Sequence, residues 1–317
     1  MSGVLLRRLG GLVGTLFASS LIVFFVLNVL PGDPAAVMLG LGARSEAVAQ
    51  LHHQLGLDAP ILWRYLHWIG GLLSLQLGTS FTYGIPVSQL LADRLQITVP
   101  LAGLTLFLSV AIGIPVGAAA AARRGRFSDT AIMGTAQLTK AVPDFWFGML
   151  LILVFSLSLH WFPASGFPGW DGSPLPALRA LVLPAAALAL PEAASLARFM
   201  RSATLTALQQ DFVRTARAKG LSRQAALWRH AAPNALIPIV TLIGVQFPLL
   251  LTGTIIIENV FGLPGLGRLV LEAINQRDLV VVQDLVVLLV AAVVIVNFAV
   301  DVLTTRLDPR LASGDGT

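Results

Sequence analysis

The chain of 317 residues contains no cysteine, and charged residues make up only 12% of it. The first absence excludes disulfides, thiolate metal sites and cysteine nucleophiles, and it leaves the redox compartment unread. The second removes the chain from the soluble globular class, in which about a quarter of residues are charged. Also missing are a glycine-rich phosphate loop ending in Lys and Ser or Thr, a nucleophile elbow and any short paired-acid motif. ATP hydrolysis and triad chemistry are therefore not expected of this chain. What is present is apolar, with 56% hydrophobic residues.

Six apolar runs of roughly twenty residues, the length that crosses a bilayer core, fall near residues 9–30, 99–122, 131–159, 178–198, 236–257 and 279–304. They predict an all-α integral membrane protein with six transmembrane helices. The fourth run contains Pro184, Pro191 and Glu192, which membrane helices tolerate where neighbours satisfy the freed carbonyls. The first follows a charged start but has spanning length, so it is expected to be retained rather than cleaved as a signal. An even number of spans puts both termini on one side. With Met1 inside, fourteen of the 21 basic residues fall in inner segments and six in outer ones, which predicts cytoplasmic termini. Basic residues scattered between apolar runs serve topology, and nucleic-acid binding is not expected.

Two outer segments are too long to be mere connectors. Residues 31–97 hold SEAVAQLHHQLGLD, with Ser45 placed to cap a helix and Gly56 to stop it, then PILWRYLHWIGGLLSLQLGTSF, whose aromatics suit a membrane interface. A small extracytoplasmic helical subdomain is expected there. Before the last run, ENVFGLPGLGRLVLEAINQRD sets Pro264 among Gly262, Gly265 and Gly267. That turn should lead into a short amphipathic helix with Leu269, Val270, Ala273 and Ile274 on its apolar face. The tail ASGDGT is expected to be disordered.

Between the fourth and fifth runs lies QQDFVRTARAKGLSRQAALWRHAAPNALIP, which is basic, glycine-interrupted and amphipathic. At 3.6 residues per turn Leu205, Leu208, Phe212 and Ala216 form one stripe, with Gln209, Gln210, Arg214, Arg217 and Lys219 on other faces. Gly220 should end this helix and Ser222 should cap a second, which Pro233 and Asn234 should break before the chain re-enters the membrane. A basic helix lying on anionic lipid would account for the composition. A helix, a glycine corner and a second helix would equally fit a groove on a soluble partner and pass its movement to the attached spans.

RTARAKGLS and RHAAPNALIPIVT resemble the cytoplasmic EAA-type loop of ABC importer permeases of the dipeptide, oligopeptide and nickel family, with Ala216, Ala218 and Gly220 in its small-residue and glycine positions. NVLPGDP, LGLDAPILWRYLHWIGGLLSLQLGTSF, GIPVGAAAAARRGRFSD, VPDFWFGMLLILVF, ENVFGLPGLGRL and LDPR resemble the same family in the same order. The long segment after the first span and the LDPR tail are more like its first permease subunit. The resemblance implies one type I ABC importer-like transmembrane domain over residues 1–317 in the cytoplasmic (inner) membrane, with residues 205–233 as a coupling-helix loop. It implies contact with an ATPase subunit through Arg214, Thr215, Ala216, Arg217, Ala218, Lys219, Gly220, Leu221 and Ser222. Thr215 stands where some members carry Glu. The implied partners are a second homologous permease subunit, two ATP-binding subunits that hold the ATP and Mg, an extracytoplasmic substrate-binding protein, and membrane lipid. No cofactor is expected on this chain. The implied cargo is a di- or oligopeptide, and glutathione, an opine or a nickel chelate would fit the same family.

Polar residues within the runs offer other chemistry. Lys140 and Asp144, four apart on one helical face, flank Pro143 and read as an ion relay or as a neutralised pair with Lys140 reaching to water. Glu192 has no local partner, since Arg198 is more than a turn away; it would bind a peptide amino group or close a salt bridge. An ion-coupled secondary transporter or channel using Lys140, Asp144 and Glu192 is the alternative function. An intramembrane enzyme would need paired catalytic groups, which the sequence does not offer. Gln137, Phe145, Glu192, Gln246 and Glu258 interrupt apolar runs and are candidates for the pathway or its outer gate. His52 and His53 point about 100° apart on a helix, with no third ligand in register, and read as surface residues rather than a metal site.

Overall fold

The computed structural model describes residues 2–29, 35, 44–54 and 56–307. Readings placed on residues 30–34 and on the LDPR and ASGDGT tail from 308 onward lie outside the described residues. The helices, in chain order, are α1 (Ser2–Val29), α2 (Ser45–Gln54), α3 (Ile61–Leu73), α4 (Val87–Ala122), α5 (Phe127–Ala141) and α6 (Asp144–Ser158). They continue as α7 (Pro174–Ala207), α8 (Asp211–Ala218), α9 (Arg223–Val260), α10 (Leu266–Asn275) and α11 (Leu279–Leu307). Among the described residues α1, α4, α7, α9 and α11 are long and apolar enough to cross a membrane, and α5 with α6 makes a sixth span if the bent pair counts as one.

The third run is not the single helix expected over 131–159. α5 and α6 meet at 102°. Pro143 has no amide hydrogen, and its ring pushes Val142 out of the helical region to φ −89°, ψ 130°. Lys140 and Asp144 therefore do not share a helical face. α6 then widens into π-helical turns over Ile152–Ser158.

The fourth run behaves in the opposite way. Pro184 and Pro191 sit inside one continuous helix of 34 residues, and 78% of its apolar stretch is buried, the highest share among the five unbroken spans. Its inward side chains are largely alanine, so α4 can press against it. Gly113 and Gly117, the two ends of GIPVG, face α7: a Cβ on Gly113 would lie 2.8 Å from the Ala193 carbonyl oxygen, and one on Gly117 would lie 2.8 Å from Met200 Cβ. Lipid tails give helices no hydrophobic reason to associate, so contact depends on this close small-residue packing. Ser109 adds a hydroxyl donated to the Thr105 carbonyl at 2.8 Å and the Ala189 carbonyl at 3.3 Å. Gly117→Leu is accordingly expected to force α4 off α7 and to lose most of the monodisperse protein on detergent extraction. Gly103→Leu, whose Cβ meets open space, is the control expected to extract normally; equal yields from the two variants would refute this packing.

Polar contacts sort the elements into two ends. At one, Arg8 of α1 pairs with Asp301 of α11 at 3.5 Å. At the other, Trp170 donates to the Gln96 carbonyl at 2.8 Å and Gly166 N–H to the Phe261 carbonyl at 2.9 Å. α3 is tied to the spans by its aromatic side chains. Its Tyr65 hydroxyl lies 2.8 Å from Ser20 Oγ of α1, and Trp68 Nε1 donates to Asp284 Oδ1 of α11 at 2.7 Å.

Candidate functional site

The basic segment forms a helical hairpin at the end that carries Arg8. α7 stops at Ala207 and α8 starts at Asp211, so the stripe expected through Leu205, Leu208, Phe212 and Ala216 is interrupted. The break turns Phe212 outward, 42% exposed, and puts Val213 inside in its place. Val213 packs with Ala207, Ala226 and Ala231, flanked by Leu208 and Leu221, and this cluster holds the two legs together. Ala216 is also buried.

Gly220 takes φ +96° with open space around it. The positive φ of the corner, not crowding, calls for glycine. Ser222 Oγ then accepts from Ala225 N–H at 3.2 Å and caps the second leg, as its position predicts. That leg does not break at Pro233 and Asn234. It widens to π-helical turns over Leu227–Ala231 and continues directly as the rest of α9. The wide turn absorbs the donor that proline lacks, and Asn234 Nδ2 donates to the His230 carbonyl at 2.7 Å. The second leg is thus one helix with the span above it. Arg214, paired with Asp211 at 3.2 Å, faces solvent together with Thr215, Arg217, Ala218, Lys219, Gly220 and Ser222, while Leu221 is half-buried.

Behind the hairpin, three polar rungs join α5 to α7. Asp129, 4% exposed, accepts from Arg201 Nε at 2.6 Å, from Arg201 Nη2 at 2.7 Å and from Gly125 N–H at 3.1 Å. Gln137 Oε1 accepts from Arg198 Nη1 at 2.9 Å, and Glu192 Oε1 from Lys140 Nζ at 3.2 Å. Glu192 thus has a partner that spacing along its own helix could not reveal. Asp129 and Arg201 carried no assigned role in the sequence; the available signal was the acidic end of RRGRFSD beside its glycine turn.

The pathway candidates separate. Glu192 and Gln246 line one cavity between α4, α7 and α9, with Ser109, Phe247 and Leu250 in its walls. Gln137 belongs to the rungs, and Phe145 lies exposed beside the helix break. Glu258, expected at the pathway or its gate, is instead sealed at the far end with 0% exposure. Its carboxylate accepts from Thr98 Oγ1 at 2.6 Å and Arg268 N–H at 3.1 Å, while Thr98 Oγ1 accepts from Leu266 N–H at 2.8 Å. It satisfies the free donors at the start of α10. The glycines of ENVFGLPGLG make this possible, since a Cβ on Gly267 would lie 2.9 Å from Glu258 Oε2 and one on Gly265 would overlap the carboxylate. Nearby, burial pushes the Glu272 carboxyl up, but hydrogen bonds from Arg268 and Tyr83 and the charges of Arg268 and Arg94 outweigh it and hold the pKa below the ordinary range. Glu272 stays ionised and fastens Tyr83, at 3.0 Å, to α10.

His53 Nδ1 lies 2.7 Å from Asp58 Oδ2, and among the described residues no group of three or more His, Cys, Asp or Glu could hold a metal.

Membrane-crossing helices around a buried central strut, with a helical hairpin exposed at one end, define a multi-span membrane protein. Comparison with known proteins gives the family. The chain belongs to the binding-protein-dependent transport system inner membrane components, matched over residues 113–313, and residues 1–102 match the N-terminal family of such membrane components. It is 41% identical over 311 residues to a Brucella abortus (strain 2308) protein named as a peptide transport system permease, covering 98% of this chain and 99% of that one. It is 38% identical over 333 residues to the dipeptide transport system permease protein DppB of Escherichia coli (strain K12), covering 97% and 98%. A structure described as an inward facing conformation of the MetNI methionine ABC transporter matches with a TM-score of 0.57 at 19% identity, over 69% of this chain and 97% of that one. That likeness concerns the fold, and it agrees with the expected type I ABC importer-like transmembrane domain.

Proposed function

We propose that this chain is the permease subunit of an ATP-driven importer of di- or oligopeptides, paired with a second homologous permease subunit, two ATP-binding subunits and an extracytoplasmic substrate-binding protein. Its termini and hairpin face the cytoplasm, on the strength of the basic-residue bias. The carrying observation is the hairpin itself. Its exposed basic face is available to a partner, its legs are locked by the cluster around Val213, and its second leg is continuous with α9. A push on such an element tilts a span as a rigid body instead of bending a loop. ATP and Mg belong to the partner subunits. The peptide cargo follows the names of the relatives. Nothing favours the ion-coupled alternative: Lys140 is engaged by Glu192, and the break at Val142–Pro143 takes Lys140 and Asp144 off a common helical face.

This chain has no native cysteine, so a maleimide attaches to it only at an introduced one. A photoactivatable maleimide on Arg217→Cys, in the assembly purified from membranes, is expected to attach to an ATP-binding subunit. The same label on Trp63→Cys, exposed on α3, is not. An intact assembly that gives no ATP-binding-subunit adduct from position 217 would overturn the proposal.

A further inference from the structure

We propose that Glu192, in the cavity between α4, α7 and α9, is a subsite for the N-terminal ammonium group of an unblocked peptide. The inference rests on the peptide-importer reading above. Glu192 spends Oε1 on Lys140 at 3.2 Å, whereas Oε2 is buried and has no hydrogen-bond partner. A buried carboxylate oxygen left unpaired costs free energy, and such orphans call for an explanation. The same cavity is lined by Ser109 and Gln246. Ser109 has already given its hydrogen to backbone carbonyls, so it can only accept. The Gln246 side chain, also on the cavity wall, carries an amide oxygen that can accept and an NH2 that can donate.

The cavity's one charged group is thus an anionic oxygen, with a second acceptor at Ser109 and an adaptable amide at Gln246. A primary ammonium has three donors and no acceptor, and it matches such a set. A carboxylate or phosphate would meet an anionic oxygen. A hard divalent cation needs about six or more oxygens, and this cavity offers a single carboxylate. The cavity is small, with room for about one ammonium-sized group beside the apolar wall of Ile243, Phe247 and Leu250. Lys140 offsets part of the charge on Glu192, so the ammonium is held weakly, as a site on a conduction path must be to release its load.

The test uses the purified assembly without nucleotide or binding protein, and ligand-observed NMR with alanyl-phenylalanine and its N-acetyl form. The unblocked dipeptide is expected to bind at least tenfold more tightly than the acetylated one. Glu192→Gln, nearly isosteric, is expected to weaken the unblocked dipeptide at least tenfold and leave the acetylated one unchanged. Lys140→Met removes the competing cation and is expected to bind the unblocked dipeptide as well as the native protein or better. If Lys140→Met loses binding in step with Glu192→Gln, the pair is only structural and the subsite is refuted. Equal affinity for both dipeptides, or no binding by the native assembly, refutes it too. Hydrolysis of ATP stimulated by the loaded binding protein is read on the same material. Retained stimulation with a failed subsite removes only this inference, whereas an assembly without ATP-binding subunits removes the importer reading beneath it.

Discussion

Arg201→Met is expected to lower the thermal stability of the solubilised protein more than the double variant Arg201→Met, Asp129→Asn. Asp129 is 4% exposed, and its two charge-assisted bonds to Arg201 are the main compensation for its burial. Without Arg201, the carboxylate keeps only the Gly125 N–H at 3.1 Å. Breaking a buried pair from one side costs about 3–5 kcal/mol, because the surviving charge stays dehydrated. The double variant leaves a neutral amide and an apolar chain, so most of that penalty is absent. Asp129→Asn alone should be milder, since Arg201 is 27% exposed and reaches water. Unfolding midpoints of the four proteins give the cycle. Additive losses, with the double variant least stable, would mean that the pair does not hold the α4–α5 turn to α7.

Gly220→Asp is expected to reduce peptide uptake at least tenfold while the protein still inserts, assembles and supports ATP hydrolysis. Nothing lies within 4 Å of a Cβ built at this corner, so no clash disturbs the membrane core. The local cost is the positive φ of +96°, about 1–2 kcal/mol for a residue with a Cβ. The larger effect is on the exposed face, where a carboxylate would stand among Arg214, Arg217 and Lys219 and where backbone must approach a partner closely. Gly220→Ala separates the two causes, because it carries the strain without the charge or much bulk. Uptake by Gly220→Asp equal to that of the native assembly would argue strongly against docking at this corner.

The spans were legible because long apolar runs have one physical use, and five of the six appear where the runs lie. The hairpin was legible at its corner, where Gly220 and the Ser222 cap are local chemistry settled within four residues. Its packing was not. The helix break at 208–210 re-indexes the face, exchanging Phe212 for Val213. The reading of Pro233 and Asn234 as a stop assumed an α-helical turn, which a π-helical turn replaces.

The sequence by itself determined the membrane class, the family likeness, the positions of the spans and the bent basic element between the fourth and fifth of them, since each depends on residues close together in the chain. Only the tertiary structure decided which polar groups meet. Antiparallel α5 and α7 bring Lys140 to Glu192 and Asp129 to Arg201 across 52 and 72 residues. Thr98 and the start of α10 likewise enclose Glu258. Partners chosen by the crossing of helices leave no periodic mark on either strand of sequence, so a buried cap and a cavity-lining carboxylate look alike until the helices are packed.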